Sequence, residues 1–287
     1  MIGRRPFLIS GLAVVGSTAI GRPARQPAFA DLRSRLGPGG RLGLAALDIH
    51  SGRSILFDAN SRYAMASTFK LALAAMVLAN VEARRLSLTD TLTVRPQHLI
   101  SYAPVLRAAG PGAKLQIGRL CAAVIEVSDN GAANMLLERL GGPAAMTAFI
   151  RRCGDRFTRL DRDEPQLNSN LPGDPRDTTT PAAMVQLMRT LLIDGPLRPR
   201  SRQQLSQWLV RSSRGLDRLR AGLPKDWSIG SKAGTGARGA VNDLAIAWPP
   251  GREPILIACY LDAPGATYEV AAKVHSEVAR RVAAVFT

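Results

Sequence analysis

The chain has 287 residues, 46% of them hydrophobic, which is enough to bury one large core or two smaller ones. Its net charge of +16 is spread as scattered arginines, with no dense basic block and few interleaved aromatics. That pattern argues against a nucleic-acid partner and for a solvated basic surface. His50, His98 and His275 fall in no ligand spacing and no Cys-x-x-Cys occurs, so neither a metal nor another cofactor is expected.

Residues 1–30 differ in character from the rest. Arg4-Arg5-Pro6-Phe7-Leu8-Ile9 opens an apolar stretch that runs to Ile20, and Ala28-Phe29-Ala30 follows. This reads as an export signal of twin-arginine type, cut before Asp31. The apolar run is short of the ~20 residues that span a bilayer. Cleavage is therefore expected to leave a periplasmic or secreted protein with no membrane insertion.

In chain order, Leu42 to Ile49 and Ser54 to Phe57 predict a hairpin around His50-Ser51-Gly52-Arg53. Ser67 to Arg85 is rich in Ala and Leu around its whole circumference, the pattern of a buried helix. Further helices are predicted at Ile117 to Val127, Ala132 to Leu140, Pro143 to Cys153, Pro181 to Ile193 and Ser201 to Val210. Strands at Ser228 to Ala233, Leu244 to Trp248 and Ile255 to Leu261 precede a closing amphipathic helix, Tyr268 to Phe286. Strands at both ends of a helical centre imply a sheet domain (31–58 and 210–287) into which an all-α domain (59–209) is inserted. Within the insertion, 161–179 lacks periodicity and is dense in Asp, Asn, Pro and Gly, as in an ordered Ω-loop.

Three short motifs carry chemistry. In Ser67-Thr68-Phe69-Lys70 the hydroxyl and the ammonium sit three apart at the start of a helix, on one face. A desolvated lysine can serve as base to a serine alcohol, and the helix N-terminus offers unpaired N–H groups to an oxyanion. Alone, the motif reads as an N-cap at Ser67 with Lys70 on the surface. Ser128-Asp129-Asn130 lies between helices, where it could relay a proton or simply cap the next helix. Lys232-Ala233-Gly234-Thr235-Gly236 ends a strand and could hold an anion or simply turn the chain.

Jointly, the three resemble the SxxK, SDN and KTG boxes of penicillin-recognising serine enzymes. Arg162-Asp163-Glu164-Pro165-Gln166-Leu167-Asn168 and the run from Pro172 to Pro181 are similar to the Ω-loop of class A serine β-lactamases. The likeness extends over essentially all of 31–287. It implies a five-stranded antiparallel sheet flanked by helices, an inserted all-α domain, and the active site between them. It also implies a monomer that hydrolyses a small-molecule β-lactam, conferring resistance to penicillins and some cephalosporins.

By the same resemblance Ser67 is the nucleophile, with Lys70 and Glu164 sharing the role of base. Glu164 with Asn168 activates the deacylating water, and Ser128 passes a proton to the lactam nitrogen. Asn130 binds the substrate amide, and the N–H groups of Ser67 and Thr235 form the oxyanion hole. Lys232, Gly234, Thr235 and an arginine frame the carboxylate subsite; Arg218 matches that cation, with Arg220 as competitor. Tyr102 matches the aromatic wall, and Arg162 with Asp177 the ion pair at the neck of the Ω-loop.

Two departures stand out. Ala233 replaces the Thr or Ser usual in the third box, removing a hydroxyl from the carboxylate subsite and putting some substrates and clavulanate-like inhibitors in doubt. Ala66 and Gly236 stand where carbapenem-hydrolysing members carry a disulfide, and Ala74 stands opposite Cys121 where some members carry another. Cys121, Cys153 and Cys259 are therefore expected as free thiols. Two other readings share these motifs: a slow D-alanyl-D-alanine peptidase or acylated sensor, and a non-catalytic binder of cell-wall polymers.

Overall fold

The computed structural model describes residues 22–23 and 28–287, so the segment carrying Arg4, Arg5 and the apolar run to Ile20 lies outside the described residues. Five strands form one antiparallel sheet: β1 (Arg41–Asp48), β2 (Arg53–Phe57), β3 (Ser228–Thr235), β4 (Ala240–Trp248) and β5 (Ile255–Asp262). Their spatial order is β2-β1-β5-β4-β3, and Arg22–Pro23 adds a two-residue parallel edge beside β2. The central β5 is thus flanked by an early strand and a late one, which closes the sheet around the intervening helices.

Period-two alternation divides the sheet into two apolar faces. Leu42, Leu44 and Ala46 of β1 with Ile255, Ile257 and Cys259 of β5 pack under α1 (Ala30–Ser34) and the long C-terminal helix Tyr268–Phe286. Ala45, Leu47, Leu256, Ala258 and Tyr260 face the other way, into the larger core built by the helices between β2 and β3. Chief among these is α2 (Lys70–Glu82), buried from Lys70 to Leu78, as its uniformly apolar sequence requires. Around it stand α3 (Pro104–Ala109), α4 (Ile117–Ala122), α5 (Asn130–Leu140), α6 (Gly142–Arg152), α7 (Pro181–Arg189) and α8 (Pro199–Val210). α9 (Leu219–Gly222) leads into β3, and α10 (Tyr268–Phe286) closes the chain.

The predicted elements occur with shifted ends. The helix read from Ser67 begins as a tight 3-10 turn, Ala66–Phe69, before becoming α-helical at Lys70. The helices read to Val127 and Ile193 finish instead in wide π turns, Ala123–Val127 and Thr190–Asp194. The helical centre also holds two small strand pairs: Tyr63–Ala64 with Thr178–Thr179, and Thr91–Thr93 with Lys114–Gln116. Among the described residues no helix is long and apolar enough to cross a membrane.

Phe29 and Ala30, read from sequence as the end of the leader, take part in the fold. Phe29 is 1% exposed, meets Phe57 in a tilted pair with ring centroids 5.8 Å apart, and precedes the first residue of α1. Cys121, Cys153 and Cys259 are all free, as expected. A Cβ built on Gly236 would lie 3.6 Å from that of Ala66, so the two positions are adjacent although neither carries sulfur.

Candidate active site

The turn carrying Ser67 is fixed from both sides. Ala66 adopts a left-handed φ of 44°, and Ser67 follows it into the 3-10 turn, so its hydroxyl points along the face that Lys70 also occupies. Lys70 Nζ donates to Ser67 Oγ at 3.0 Å, the contact expected of residues three apart. Behind the turn, Asn242 of β4 donates to the carbonyls of Ala64 and Met65 at 2.8 and 3.2 Å. In front runs β3, where a Cβ on Gly234 would come within 2.9 Å of Met65 O and 3.2 Å of Ser67 N. Only glycine lets the strand edge approach Ser67 so closely.

The second motif resolves into separate tasks. A π turn ends at Ser128, whose left-handed φ of 62° turns its side chain toward the cleft. Capping falls to Asp129. One of its oxygens accepts from Ala132 N at 2.8 Å to start α5, and the other from Val105 N at 2.8 Å and Leu106 N at 3.2 Å to start α3. Asn130 N donates to Tyr102 O at 2.8 Å, which ties the aromatic wall to this motif.

Lys70 is the hub. Its Nζ lies 3.0 Å from Glu164 Oε1 and donates to Ser128 O at 3.0 Å, Ser128 Oγ at 3.3 Å and Asn130 Oδ1 at 2.5 Å. Full burial holds the ammonium below the ordinary lysine range, against the opposing pull of Glu164. Lys232 donates to Ser128 Oγ at 3.0 Å and to Ala233 O at 2.8 Å. Burial, with the charges of Lys70 and Arg218, sets its proton affinity well below the ordinary value.

Glu164 is held by its backbone and its carboxylate at once. Asn134 pairs with its peptide group in both directions, donating to Glu164 O at 2.8 Å and accepting from Glu164 N at 3.0 Å. Asn168 donates to Oε2 at 2.5 Å, leaving Oε1 for Lys70 and, at 3.5 Å, for Ser67 Oγ. At the neck of the loop, buried Asp177 accepts from Asp161 N at 2.7 Å, Arg162 N at 2.9 Å and Arg162 Nε at 2.6 Å. Asn170 fastens the far side of the loop to the turn after β3, donating to Ala237 O and Arg238 O at 3.3 Å.

The two candidate arginines take different places. Arg218 donates to Gly234 O at 2.9 Å, Asn242 O at 2.6 Å and Thr235 Oγ1 at 2.6 Å, beside the third motif. Arg220 points instead to Ile229 O at 2.6 Å. Ser67, Tyr102, Ser128, Asn130, Asn168, Arg218 and Thr235 line a cleft of about 660 Å³, with buried Lys70, Glu164 and Lys232 behind its wall. A larger cavity of about 810 Å³ lies beyond the Ω-loop, and none of Ser67, Lys70 or Glu164 lines it.

The sequence reading missed Asn134 and the rim. Asn134 lies one turn after Asn130 on α5, and that spacing was the available signal. Arg214, Leu216 and Tyr268 complete the cleft, but they come from a loop and a helix start with no local pattern to mark them.

The arrangement places a serine hydroxyl beside a buried lysine and a buried carboxylate, at the edge of a cleft that Arg218 also lines. The sequence matches the beta-lactamase enzyme family over residues 29–286. It is 42% identical to beta-lactamase CTX-M-8 of Citrobacter amalonaticus over 226 residues, covering 79% of this chain and 77% of that one. Beta-lactamase L2 of Stenotrophomonas maltophilia is 41% identical over 299 aligned residues, covering 98% of both chains. Among solved structures, an ancestral class A beta-lactamase superposes with a TM-score of 0.86 at 50% identity, over 88% of this chain and 96% of that one. A beta-lactamase from Xanthomonas campestris gives 0.85 at 43% identity, over 90% and 98%. The chain belongs to the beta-lactamase enzyme family and is a class A member of it.

Proposed function

We propose that the protein hydrolyses β-lactams through an acyl-serine intermediate and that a Glu164-activated water releases the product. The observation that carries this reading is the triangle of Ser67 Oγ, Lys70 Nζ and Glu164 Oε1, with sides of 3.0, 3.0 and 3.5 Å. The Ser67 proton passes to the Lys70–Glu164 pair as Oγ bonds to the lactam carbonyl carbon. The carbonyl oxygen takes the negative charge, facing the N–H groups of Ser67 and Thr235. The C–N bond then breaks, its electron pair stays on nitrogen, and Ser128 relays a proton to that nitrogen.

Deacylation reverses the roles. Glu164 takes a proton from water, the water oxygen bonds to the acyl carbon, and Ser67 departs with a proton restored to its oxygen. Asn168 and Asn134 hold Glu164 in place for this second half, and a site that only acylates has little use for such anchoring. Asn130 takes the substrate amide, while Lys232 and Thr235 take its carboxylate, with Arg218 adding positive charge from behind through its bond to Thr235 Oγ1. The same reading has the enzyme exported by its Arg4-Arg5 leader, working as a monomer and protecting the cell from penicillins and some cephalosporins.

Purified protein is expected to open the ring of benzylpenicillin over many turnovers, seen as loss of lactam absorbance, and Ser67→Ala to abolish this. Turnover that survives in Ser67→Ala, or a wild type that consumes only one equivalent, would overturn the reading.

A further inference from the structure

The loop before α9 puts a second, uncommitted arginine at the carboxylate end of the cleft. The guanidinium of Arg214 lies 5.4 Å from the ring centroid of Tyr102, on the opposite wall, and this stacking is its one described partner. Arg218 is different: its donors are turned inward on Gly234, Asn242 and Thr235, and the residue is 3% exposed. The acid nearest in the loop, Asp217, accepts from Tyr268 OH at 3.0 Å. Arg214 is therefore an exposed cation held over the mouth with its N–H groups free for a ligand.

Its place is fixed relative to the third motif. Ser213 donates through N and Oγ to Glu126 O at 2.9 and 3.0 Å, which anchors the loop at one end. Gly215 has a φ of 67°, and a Cβ there would come within 2.7 Å of the Ala233 side chain. The loop thus seats directly against the residue whose usual hydroxyl is missing from this chain. Arg214, next to Gly215 in the chain, lines the same cleft as Ala233, Thr235 and Arg218, with its guanidinium reaching toward Tyr102 across the path of a substituent beside the substrate carboxylate.

We propose that Arg214 forms an anion subsite at the cleft mouth and that the enzyme favours β-lactams bearing a second negative charge on the substituent beside the ring carboxylate. This rests on the β-lactam hydrolase reading above and adds a substrate class to it. The guanidinium pairs with the added carboxylate while stacked on Tyr102, which limits the freedom lost on binding.

The test uses two cephalosporins identical but for the C3 arm, one ending in –S–CH2–COO⁻ and the other in the carboxamide –S–CH2–CONH2. In wild type the acid-to-amide ratio of kcat/KM is expected to be about 3–5, the size of a partly exposed ion pair, carried by KM and reduced by salt. Arg214→Gln should bring the ratio to about 1, and Arg214→Lys should leave it between the two. Because each ratio comes from one enzyme sample, the folded fraction cancels. A wild-type ratio near 1, or a ratio unchanged in Arg214→Gln, overturns the subsite while leaving the hydrolase reading intact. Failure of wild type to turn over either compound overturns the proposed substrate class, and failure on benzylpenicillin as well overturns the hydrolase reading.

Discussion

Lys232 Nζ donates to Ser128 Oγ at 3.0 Å, and Lys70 Nζ reaches the same oxygen at 3.3 Å. Both lone pairs of that hydroxyl are thereby engaged, which leaves its hydrogen to point elsewhere, into the cleft that Ser128 lines. A hydroxyl proton aimed into the cleft, with two lysine donors behind its oxygen, is suited to relay. Ser128→Ala is expected to lower kcat/KM for benzylpenicillin by roughly 10²–10⁴, the usual worth of a positioned proton donor. The thermal midpoint should fall only ~2–4 °C, since Lys70 keeps its other partners. Steady-state kinetics and a thermal melt check both; a loss below threefold would remove Ser128 from the relay.

The neck of the Ω-loop gives a second prediction. Asp177 accepts three hydrogen bonds while 0% exposed, so Asp177→Ala strands two amides and a guanidinium. Urea unfolding should show a loss of about 2–4 kcal/mol. The loosened loop should also displace Glu164, so that acyl-enzyme accumulates and is seen by intact mass during turnover. Unchanged stability with unchanged kcat would contradict the structural role.

Asp243 predicts a pH dependence. Burial pushes its carboxyl from the ordinary 3.8 up to about 7, against the pull of Arg218 and the Leu219 N–H. Between those values the folded state holds a proton that the unfolded chain has lost, so stability falls as pH rises through that window. The slope from this group is on the order of 1 kcal/mol per pH unit. Asp243→Asn should flatten it, as measured by urea unfolding from pH 4 to pH 8. Equal slopes in the two proteins would rule this out.

Phe29 predicts the mature N-terminus. A cut before Asp31 would strip from the fold a ring that is 1% exposed and packed against Phe57, at a cost of about 2–3 kcal/mol. Processing upstream of Phe29 is therefore expected, and intact mass of protein recovered from the periplasm should include it. A mature chain beginning at Asp31 would show that the fold does without the ring.

The fold was readable where apolar runs are long and unbroken. Strands such as β5, apolar on both faces, and helices such as α2, apolar all round, announce buried elements whatever surrounds them. The π turns ending at Val127 and Asp194 were not readable, because a wide turn differs from an α turn by a hydrogen-bond shift that leaves composition unchanged. In the site, Ser67, Lys70, Ser128 and Lys232 stood out through local motifs. Asn134 and Arg214 did not, since each acts through a partner distant in sequence, Glu164 in one case and Tyr102 in the other. The choice between Arg218 and Arg220 likewise needed coordinates: side chains two apart at the start of α9 turn to different carbonyls.

The central claim is that Glu164 frees an acylated Ser67 by activating water, and the most direct measurement is the mass of Glu164→Ala mixed with benzylpenicillin. The account predicts that nearly all protein gains the mass of one intact penicillin and keeps it for minutes or longer, while wild type returns to its own mass as substrate is consumed. A Glu164→Ala protein that turns over like wild type and shows no adduct would contradict it.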